Sequence, residues 1–354
     1  MAKPLRLVFL VLAVILLFWF SAHPLWVERI YSTGIYPYLS LAQRKLTGWV
    51  PFSVGDVLYV LAGIWLVAGL VRTLRHIFRR DRDPLLWGTA LRKFVEGILV
   101  LVIVFNVLWG LNYSRLGILY QLKLEPGSYG KDTLQQLIDT LIARVNDTRP
   151  AFSGWSDAGK AVVFRGADTA YARAAKVYPF LQHRGLSVKA SLFGELDDYM
   201  GFQGYYNPFT GEAQLDNSVP RSLIFYTPCH EMAHQLGYAS ETEANFVGYL
   251  AAVHSPDPRF RYSAYLDLFT YADGEMFFTD SLRARENLRR LDTLARADLA
   301  EGRRYFRAHR NPIEPYLTRL YGDYLKSQHQ PMGLGSYSEV VGWLVAFGEK
   351  YGKL

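Results

Sequence analysis

The sequence predicts a mainly α protein, with three N-terminal transmembrane helices followed by a mostly helical α+β outer domain that contains a small sheet. Three apolar runs of about 18 residues occur in the first third of the chain, which is near the minimum length that spans a bilayer. After them, helical periodicity dominates and only short runs resemble strands. Half of the 354 residues are hydrophobic, which is sufficient for a buried core outside the apolar runs.

The three apolar runs are expected to form a membrane domain of residues 1–111. They cover residues 5–22, 54–71 and 94–111. The first run alone is also typical of a cleaved signal peptide, but residues 21–22 make a poor cleavage site and two further runs follow. We therefore expect a retained anchor and a multi-pass protein that has the lipid bilayer as its partner.

Basic residues predict the orientation of this membrane domain. Seven of them lie between the second and third runs, in residues 72–93, and only three lie between the first and second. Because positive loops stay in the cytoplasm, the N-terminus is expected inside and residues 112–354 outside a bacterial inner membrane. The net charge of +7 owes much to the cytoplasmic segments. It therefore does not indicate nucleic-acid binding.

The outer domain is expected to begin with helices and a small sheet. Apolar residues recur at helical spacing over 134–145, where Asp132 or Thr133 is a suitable N-cap. A second helix is expected over 168–177, and two strand-like segments follow. Helices dominate the remainder. The expected strands cover residues 188–193 and 213–216, and the later helices cover 246–253, 262–271, 280–308, 313–327 and 337–351.

The run His230-Glu231-Met232-Ala233-His234 is the most informative motif in the chain. Residues four apart lie on one face of a helix, so His230 and His234 can direct two imidazoles at one ion. Glu231 flanks the same ion and can act as a general base toward water. The spacing therefore predicts a catalytic zinc site, because a purely structural zinc site does not need the glutamate.

A catalytic zinc ion needs a third protein ligand. At the position where metzincin-like chains supply it, three residues beyond Gly237, this chain has Ser240, which is a poor ligand. Ser240 instead suits an N-cap, and Glu243 three residues later completes a capping box. Glu241 is then left for the metal, with Glu243 as the alternative. Asn245, four residues after Glu241, is expected to orient its carboxylate.

Two further features close to the motif have open interpretations. Residues 204–215 either form a strand that pairs with an extended substrate or an ordinary hairpin under the core, and the sequence does not separate the two. Cys229, the only cysteine, precludes an intrachain disulfide. Neighbouring residues on a helix point about 100° apart, so we expect Cys229 to be a small buried residue and not a partner of His230.

Several segments together resemble a known family. The segment Glu241–Asn245 is similar to the element that carries the third ligand in several membrane gluzincins. Over nearly its full length, the chain resembles the bacterial membrane family catalogued as domain of unknown function 3810. This resemblance implies a membrane anchor and a gluzincin-like zinc site in a zincin-like outer domain, but no substrate. The segments that carry it are 109–115, 204–213, 229–238, 241–246, 261–266 and 335–337.

The resemblance also suggests Tyr262 as the donor that stabilises the oxyanion during catalysis. The other candidates are Tyr265, His254, Arg261 and Tyr337, although core packing is the more common role of a tyrosine in so aromatic a chain.

The sequence thus favours a membrane-anchored zinc metallopeptidase that hydrolyses peptide or envelope material outside the cytoplasm. The alternative is a non-catalytic, zinc-stabilised sensor or scaffold. A transporter is less consistent, because the three apolar runs contain few charges. The oligomeric state and the cleavage specificity are left open.

Overall fold

The computed structural model describes residues 3–78, 84–152, 159–216, 218–327 and 336–352. Helices account for 74% of the structure, and one three-stranded sheet accompanies them. The prediction of a mainly helical protein with a small sheet is therefore confirmed.

The helices follow the predicted order with shifted ends. The α-helices are α1 (Lys3–Ser21), α2 (Pro24–Trp26), α3 (Tyr36–Thr47), α4 (Val54–Phe78), α5 (Pro84–Leu108), α6 (Gly117–Leu122), α7 (Lys131–Thr148), α8 (Lys160–Ala174), α9 (Glu195–Met200), α10 (Thr227–Gln235), α11 (Glu241–Val253), α12 (Pro258–Thr279), α13 (Ser281–Arg290), α14 (Thr293–Ala308), α15 (Glu314–Ser327) and α16 (Ser336–Tyr351). A π-helix covers Val27–Ile35, and short 3-10 helices cover Gly110–Ser114, Arg149–Phe152 and Pro179–Leu181.

Two local predictions about these helices were wrong. α7 begins at Lys131 after Gly130, so neither Asp132 nor Thr133 is its N-cap. Asp132 lies instead in the first turn, where a negative charge suits the helix dipole. The single helix expected over 280–308 is divided into α13 and α14, because Asp292 leaves the helical conformation and caps α14 by accepting a hydrogen bond from the Leu294 amide at 2.7 Å.

The sheet has the strand order β1-β3-β2, where β1 is Val188–Ala190, β2 is Gly204–Asn207 and β3 is Glu212–Leu215. β1 pairs with β3 in parallel, with Val188 opposite Ala213. β2 pairs with β3 antiparallel, with Gly204 opposite Leu215. Within the described residues, β2 is thus an edge strand whose second side is not paired with another strand.

The apolar N-terminal helices give fewer clear membrane spans than predicted. Among the described helices, only Val54–His76 of α4 is by itself long and apolar enough to cross a membrane. A second candidate joins Leu5–Ser21 to Pro24–Thr47, but the two parts meet at 91°. The third predicted span falls on α5, whose apolar run follows three charged residues, Arg92, Lys93 and Glu96. The structure therefore supports one or two spans, and not clearly three.

The main core lies among the outer helices and extends to one face of the sheet, with α7, α11, α12 and α16 packed around one another. A second, smaller core joins the segment after α1 to the end of α5 and to the loop after α10. Its fully or nearly fully buried members include Val27, Tyr36, Trp109 and Ala239. Contacts thus cross the boundary expected between residues 111 and 112.

Candidate metal centre

The His-Glu-x-x-His motif lies on α10, a short helix with well-defined ends. Pro228 occupies its first turn, where backbone amides have no acceptor within the helix, so the absence of an N–H in proline costs no hydrogen bond. The helix ends when the Tyr238 amide donates to Ala233 and the Gly237 amide donates to His234, a Schellman arrangement. Gly237 has φ of +84°, and an added Cβ would lie 2.8 Å from the Tyr36 ring, so the turn requires glycine.

His230, His234 and Glu241 form a cluster whose ligand atoms all lie within 4.8 Å of one another. Glu241 Oε2 lies 3.2 Å from His230 Nε2 and 3.8 Å from His234 Nε2. α11 reaches the motif closely because Gly248 faces it, and an added Cβ there would lie 3.0 Å from the His230 backbone nitrogen. The structure therefore brings together the first three ligands expected from the sequence.

The second ring nitrogen of each histidine is held by an acceptor. His230 Nδ1 lies 2.8 Å from Asn245 Oδ1, and His234 Nδ1 lies 2.8 Å from the Tyr238 carbonyl oxygen. When Nδ1 carries the hydrogen for these bonds, Nε2 presents its lone pair to the cluster. Asn245 thus orients the His230 ring. The sequence had predicted that it would orient the Glu241 carboxylate instead.

The alternative ligand, Glu243, has other partners. Its carboxylate accepts hydrogen bonds from the backbone amides of Ile118, at 2.9 Å, and Ser240. In return, Ser240 Oγ accepts a hydrogen bond from the Glu243 amide at 3.2 Å. The expected capping box is therefore formed, and it turns Glu243 away from the three ligand atoms.

Glu231 is buried beside the cluster. No hydrogen-bond partner for its Oε2 is found within the described part of the chain. Burial raises the pKa of Glu231 to about 7, against the lowering effect of the two histidines. Gly204 at the start of β2 lies against this carboxylate, since a Cβ there would be 3.1 Å from Glu231 Oε1. An orphaned carboxylate oxygen in a cavity is well suited to hold a water molecule.

The charges in the cluster favour a cation. Burial opposes a charged His230, but the hydrogen bond to Glu241 and the charges of Glu231 and Glu241 raise its pKa to about 9. Burial alone would raise the pKa of Glu241, because it opposes the charged carboxylate. The contacts of Glu241 with both histidines nevertheless lower its pKa well below the usual value. Two imidazoles and one carboxylate are also the donor set of many catalytic zinc sites. The residues present therefore fit a zinc ion.

A cavity of about 690 Å³ opens over this cluster. Asp267 and Tyr271 of α12 line it next to the ligands, and the sequence analysis did not single them out. Burial and then the charges of Asp267 and Glu241 raise the pKa of Tyr271 well above its usual value, so its hydroxyl keeps the proton that it can donate. The available signal was the four-residue spacing of Asp267 and Tyr271, which places both on one face of α12.

The proposed oxyanion donors lie elsewhere. Tyr262 is buried, and its hydroxyl donates to Asp298 at 2.5 Å. It lies nine residues before Tyr271, which corresponds to a rotation of about 180° on a helix, so the two side chains point to opposite faces of α12. Tyr262 does not line the cavity over the cluster of His230, His234 and Glu241.

The remaining donors are also distant. His254, Arg261 and Tyr265 line a second cavity of about 310 Å³. His254 follows the end of α11, roughly 20 Å from Glu241 along the helix axis at about 1.5 Å per residue. The side chain of Tyr337 lies outside the part of the chain that the structure describes.

Cys229 is fully buried in the main core, and burial raises the pKa of its thiol. Its carbonyl oxygen accepts a 2.6 Å hydrogen bond from the Tyr171 hydroxyl. The expectation of a small buried residue thus agrees with the structure.

Residues of α3, together with Trp109 just after α5, hold the C-terminal end of α10. The Ser40 hydroxyl donates to the Gln235 carbonyl at 2.7 Å, and Arg44 Nη1 donates to the same oxygen at 3.0 Å. Trp109 Nε1 donates to the His234 carbonyl at 3.2 Å. These donors satisfy carbonyl groups that a helix end leaves without intrahelical partners.

A buried ion pair holds the turn that follows. Arg115 Nη1 donates to the Gly237 carbonyl at 3.0 Å, while its guanidinium makes two hydrogen bonds of 2.9 and 3.0 Å to Glu28. The sequence did not indicate this pair, because Glu28 lies between the first two predicted spans and Arg115 follows the third, 87 residues later.

Comparisons with known proteins give one match. Residues 31–345 match the model of the family described as "Protein of unknown function (DUF3810)". No curated protein and no solved structure matches the chain. The matched region includes His230, His234 and Glu241 and most of the segment that supports α10. Since it covers most of the sequence, the chain belongs to the DUF3810 family of proteins of unknown function.

Proposed function

We propose that this protein is a membrane-anchored zinc metallopeptidase that hydrolyses peptide or related amide bonds outside the cytoplasm. The observation that carries the proposal is the buried Oε2 of Glu231, which has no hydrogen-bond partner among the described residues and lies beside the cluster of His230, His234 and Glu241. A site that only braced two helices would not need this carboxylate, and its fourth ligand would usually come from the protein.

The residues around the cavity have three separate roles in hydrolysis: they hold the metal ion, transfer a proton and stabilise the oxyanion. A zinc ion held by His230, His234 and Glu241 would supply positive charge that acidifies water and polarises a carbonyl group. Glu231 accepts a proton as the water oxygen bonds to the carbonyl carbon, and it returns the proton to the amine as the C–N bond breaks. Tyr271, which lines the same cavity, replaces Tyr262 as our candidate for the donor to the developing oxyanion.

The edge strand β2 is the candidate substrate-binding element. Gly204, Tyr205 and Tyr206 line the cavity, and β3 occupies only one side of β2. An extended substrate that pairs with the other side of β2 would pass Glu231, because Gly204 lies against that carboxylate. This geometry favours the substrate-strand interpretation of residues 204–215 over a hairpin that only covers the core.

We also propose the full three-span topology, with the N-terminus in the cytoplasm and the cluster on the outer side of the bacterial inner membrane. α1 packs along α5, and Arg6 near the start of α1 lies 3.8 Å from Glu96. Arg92 lies 3.6 Å from the same carboxylate. These paired charges, near the start of α1 and in the middle of α5, reduce the cost of placing the two adjacent helices in a membrane.

The test compares two variants of the full-length protein in detergent micelles. Glu231→Gln should retain one zinc ion per chain, measured by metal analysis, and lose at least about a hundredfold in hydrolysis of a peptide library. His230→Ala should lose both zinc and activity. If zinc-loaded wild type cleaves nothing, or if Glu231→Gln cleaves as well as wild type, the peptidase proposal fails and the zinc-stabilised scaffold takes its place.

A further inference from the structure

The cavity over the cluster of His230, His234 and Glu241 is lined by two unlike groups of side chains. One group belongs to the cluster itself and to β2. The other is aromatic and comes from the apolar helices: Tyr59 of α4, Phe105 of α5 and Trp109 just beyond α5, whose ring packs against Tyr206 and His234. Residues next to them in sequence, Leu58 and Val104, are exposed to the surroundings of the protein. The cavity wall therefore continues into the apolar surface that faces the bilayer.

The start of α4 is attached directly to the sheet. The Glu212 carboxylate of β3 accepts hydrogen bonds from the amides of Val54, at 3.2 Å, and Gly55, at 2.6 Å. A carboxylate at this position caps the helix and suits its dipole. Since β3 also pairs with β2, the edge strand lies at the level where α4 begins.

A second contact strengthens this attachment. Asp56 in the first turn of α4 accepts hydrogen bonds from the Leu192 amide, at 2.6 Å, and from the Tyr205 hydroxyl of β2. A substrate strand that pairs with β2 would consequently lie at the boundary between the membrane and the outer domain.

The charge of the cavity restricts what enters it. The described lining residues include four carboxylates, those of Asp197, Glu231, Glu241 and Asp267, and they include neither lysine nor arginine. Away from the proposed zinc ion, phosphate groups and acidic side chains would meet carboxylates and find neither lysine nor arginine among these lining residues. Aromatic walls and acidic groups instead suit apolar, neutral or basic side chains.

We propose that the substrate is a neutral or basic peptide segment whose scissile bond lies within a few residues of an apolar anchor in the bilayer. The anchor is either an acyl chain or a transmembrane helix, because both present the same chemistry to Tyr59 and Phe105. This inference rests on the proposed peptidase function. It adds that the protein cleaves membrane-attached peptides at the membrane surface.

The experiment uses the full-length, zinc-loaded protein in lipid vesicles and a set of fluorogenic peptides with one cleavable sequence. Two peptides carry a palmitoyl chain, separated from the cleavable sequence by about 2 or about 12 residues; an extended spacer reaches about 3.3 Å per residue. A second pair carries a transmembrane helix with the same two spacers. Because all four are bound to the vesicle, surface concentration does not explain a difference between spacer lengths.

We expect the short-spacer peptides to be cleaved at least tenfold faster than the long-spacer peptides, which corresponds to about 1.4 kcal/mol. Preference for only one anchor type identifies which source the enzyme uses. Phe105→Ala should reduce the short-to-long ratio, whereas Leu61→Ala, on an exposed position of α4 outside the cavity lining, should leave it unchanged. Two glutamates placed beside the scissile bond should slow cleavage, and two lysines should not.

The outcomes distinguish a failure of the membrane-proximal substrate from a failure of the proposed peptidase function. If the long-spacer peptides are cleaved as fast as the short-spacer peptides, the membrane-proximal substrate is refuted and the peptidase stands. If the zinc-loaded protein cleaves none of the peptides and no member of a soluble library, both proposals are overturned.

Discussion

The ion pair between Glu28 and Arg115 gives the sharpest test of how the N-terminal segment supports the metal centre. Both side chains are only 3% exposed. The Glu28 carboxylate accepts four hydrogen bonds of 2.9 to 3.1 Å, two of them from Arg115 and one each from Gly117 and Gln121. Arg115→Met removes two of the four and leaves the buried charge of Glu28 without its counter-charge.

Breaking such a buried pair from one side costs about 3–5 kcal/mol, because a buried charge loses its partner. Replacing both members, as Glu28→Gln with Arg115→Met, should be less destabilising than the sum of the single changes by about 2–3 kcal/mol. The assay is reversible unfolding in mixed micelles, with metal affinity measured in parallel. Arg115→Met should also weaken zinc binding by about tenfold or more, because Arg115 holds the turn whose Tyr238 carbonyl orients His234.

A matched control is available on the surface. Arg283 lies 3.1 Å from Asp132, and these side chains are 45% and 90% exposed. Arg283→Met should cost less than about 1 kcal/mol, since water screens exposed pairs, and it should not change metal affinity. A coupling energy for Glu28 and Arg115 below about 0.5 kcal/mol, or equal effects of Arg283→Met and Arg115→Met, would refute the reasoning.

Three further predictions follow from the site. Asn245→Ala should weaken zinc binding by about 10–100-fold, because His230 loses the acceptor at its Nδ1. Calorimetric titration measures this affinity, and an unchanged value would show that the contact does not contribute to zinc binding. Tyr271→Phe should lower kcat by about tenfold or more at unchanged zinc content. Tyr262→Phe should not lower kcat, because the Tyr262 hydroxyl donates its hydrogen bond to Asp298. Equal kcat values for Tyr271→Phe and the wild type would exclude Tyr271 as the donor. Burial raises the pKa of Asp197 from 3.8 to about 6, so its charged form opposes folding as the pH rises through that range. Asp197→Asn should therefore increase the free energy of unfolding by about 1–3 kcal/mol at pH 8 and leave it unchanged near pH 3. A gain in stability of equal size at both pH values would contradict this origin.

Local periodicity made the centre of the site predictable. The four-residue spacing of His230 and His234, and the three-residue spacing of Ser240 and Glu243, have direct consequences on a helix. Once Glu243 is committed to the capping box, Glu241 is the remaining acid at the start of α11. The sequence therefore identified all three members of the cluster without information about how the helices cross.

Contacts between distant segments were not predictable in this way. Asn245 faces His230 because α11 crosses α10 at Gly248, and no spacing within α11 reveals that crossing. Tyr262 and Tyr271 both lie on α12, but helical periodicity alone does not say which face meets the cavity. The choice between them required the position of α12 relative to α10, which depends on packing in the main core.

The N-terminal segment was the largest omission, and the reason is physical. Its contacts with α10 are mostly hydrogen bonds from Tyr36, Ser40 and Arg44 to backbone carbonyl groups, which any helix end offers and no side-chain pattern marks. The same segment leads through α4 to the sheet that carries the edge strand. The apolar helix α4, the histidine helix α10 and the edge strand β2 are thus joined through one set of buried polar contacts. A change in the packing of the apolar helices should therefore alter the metal centre and the substrate strand together.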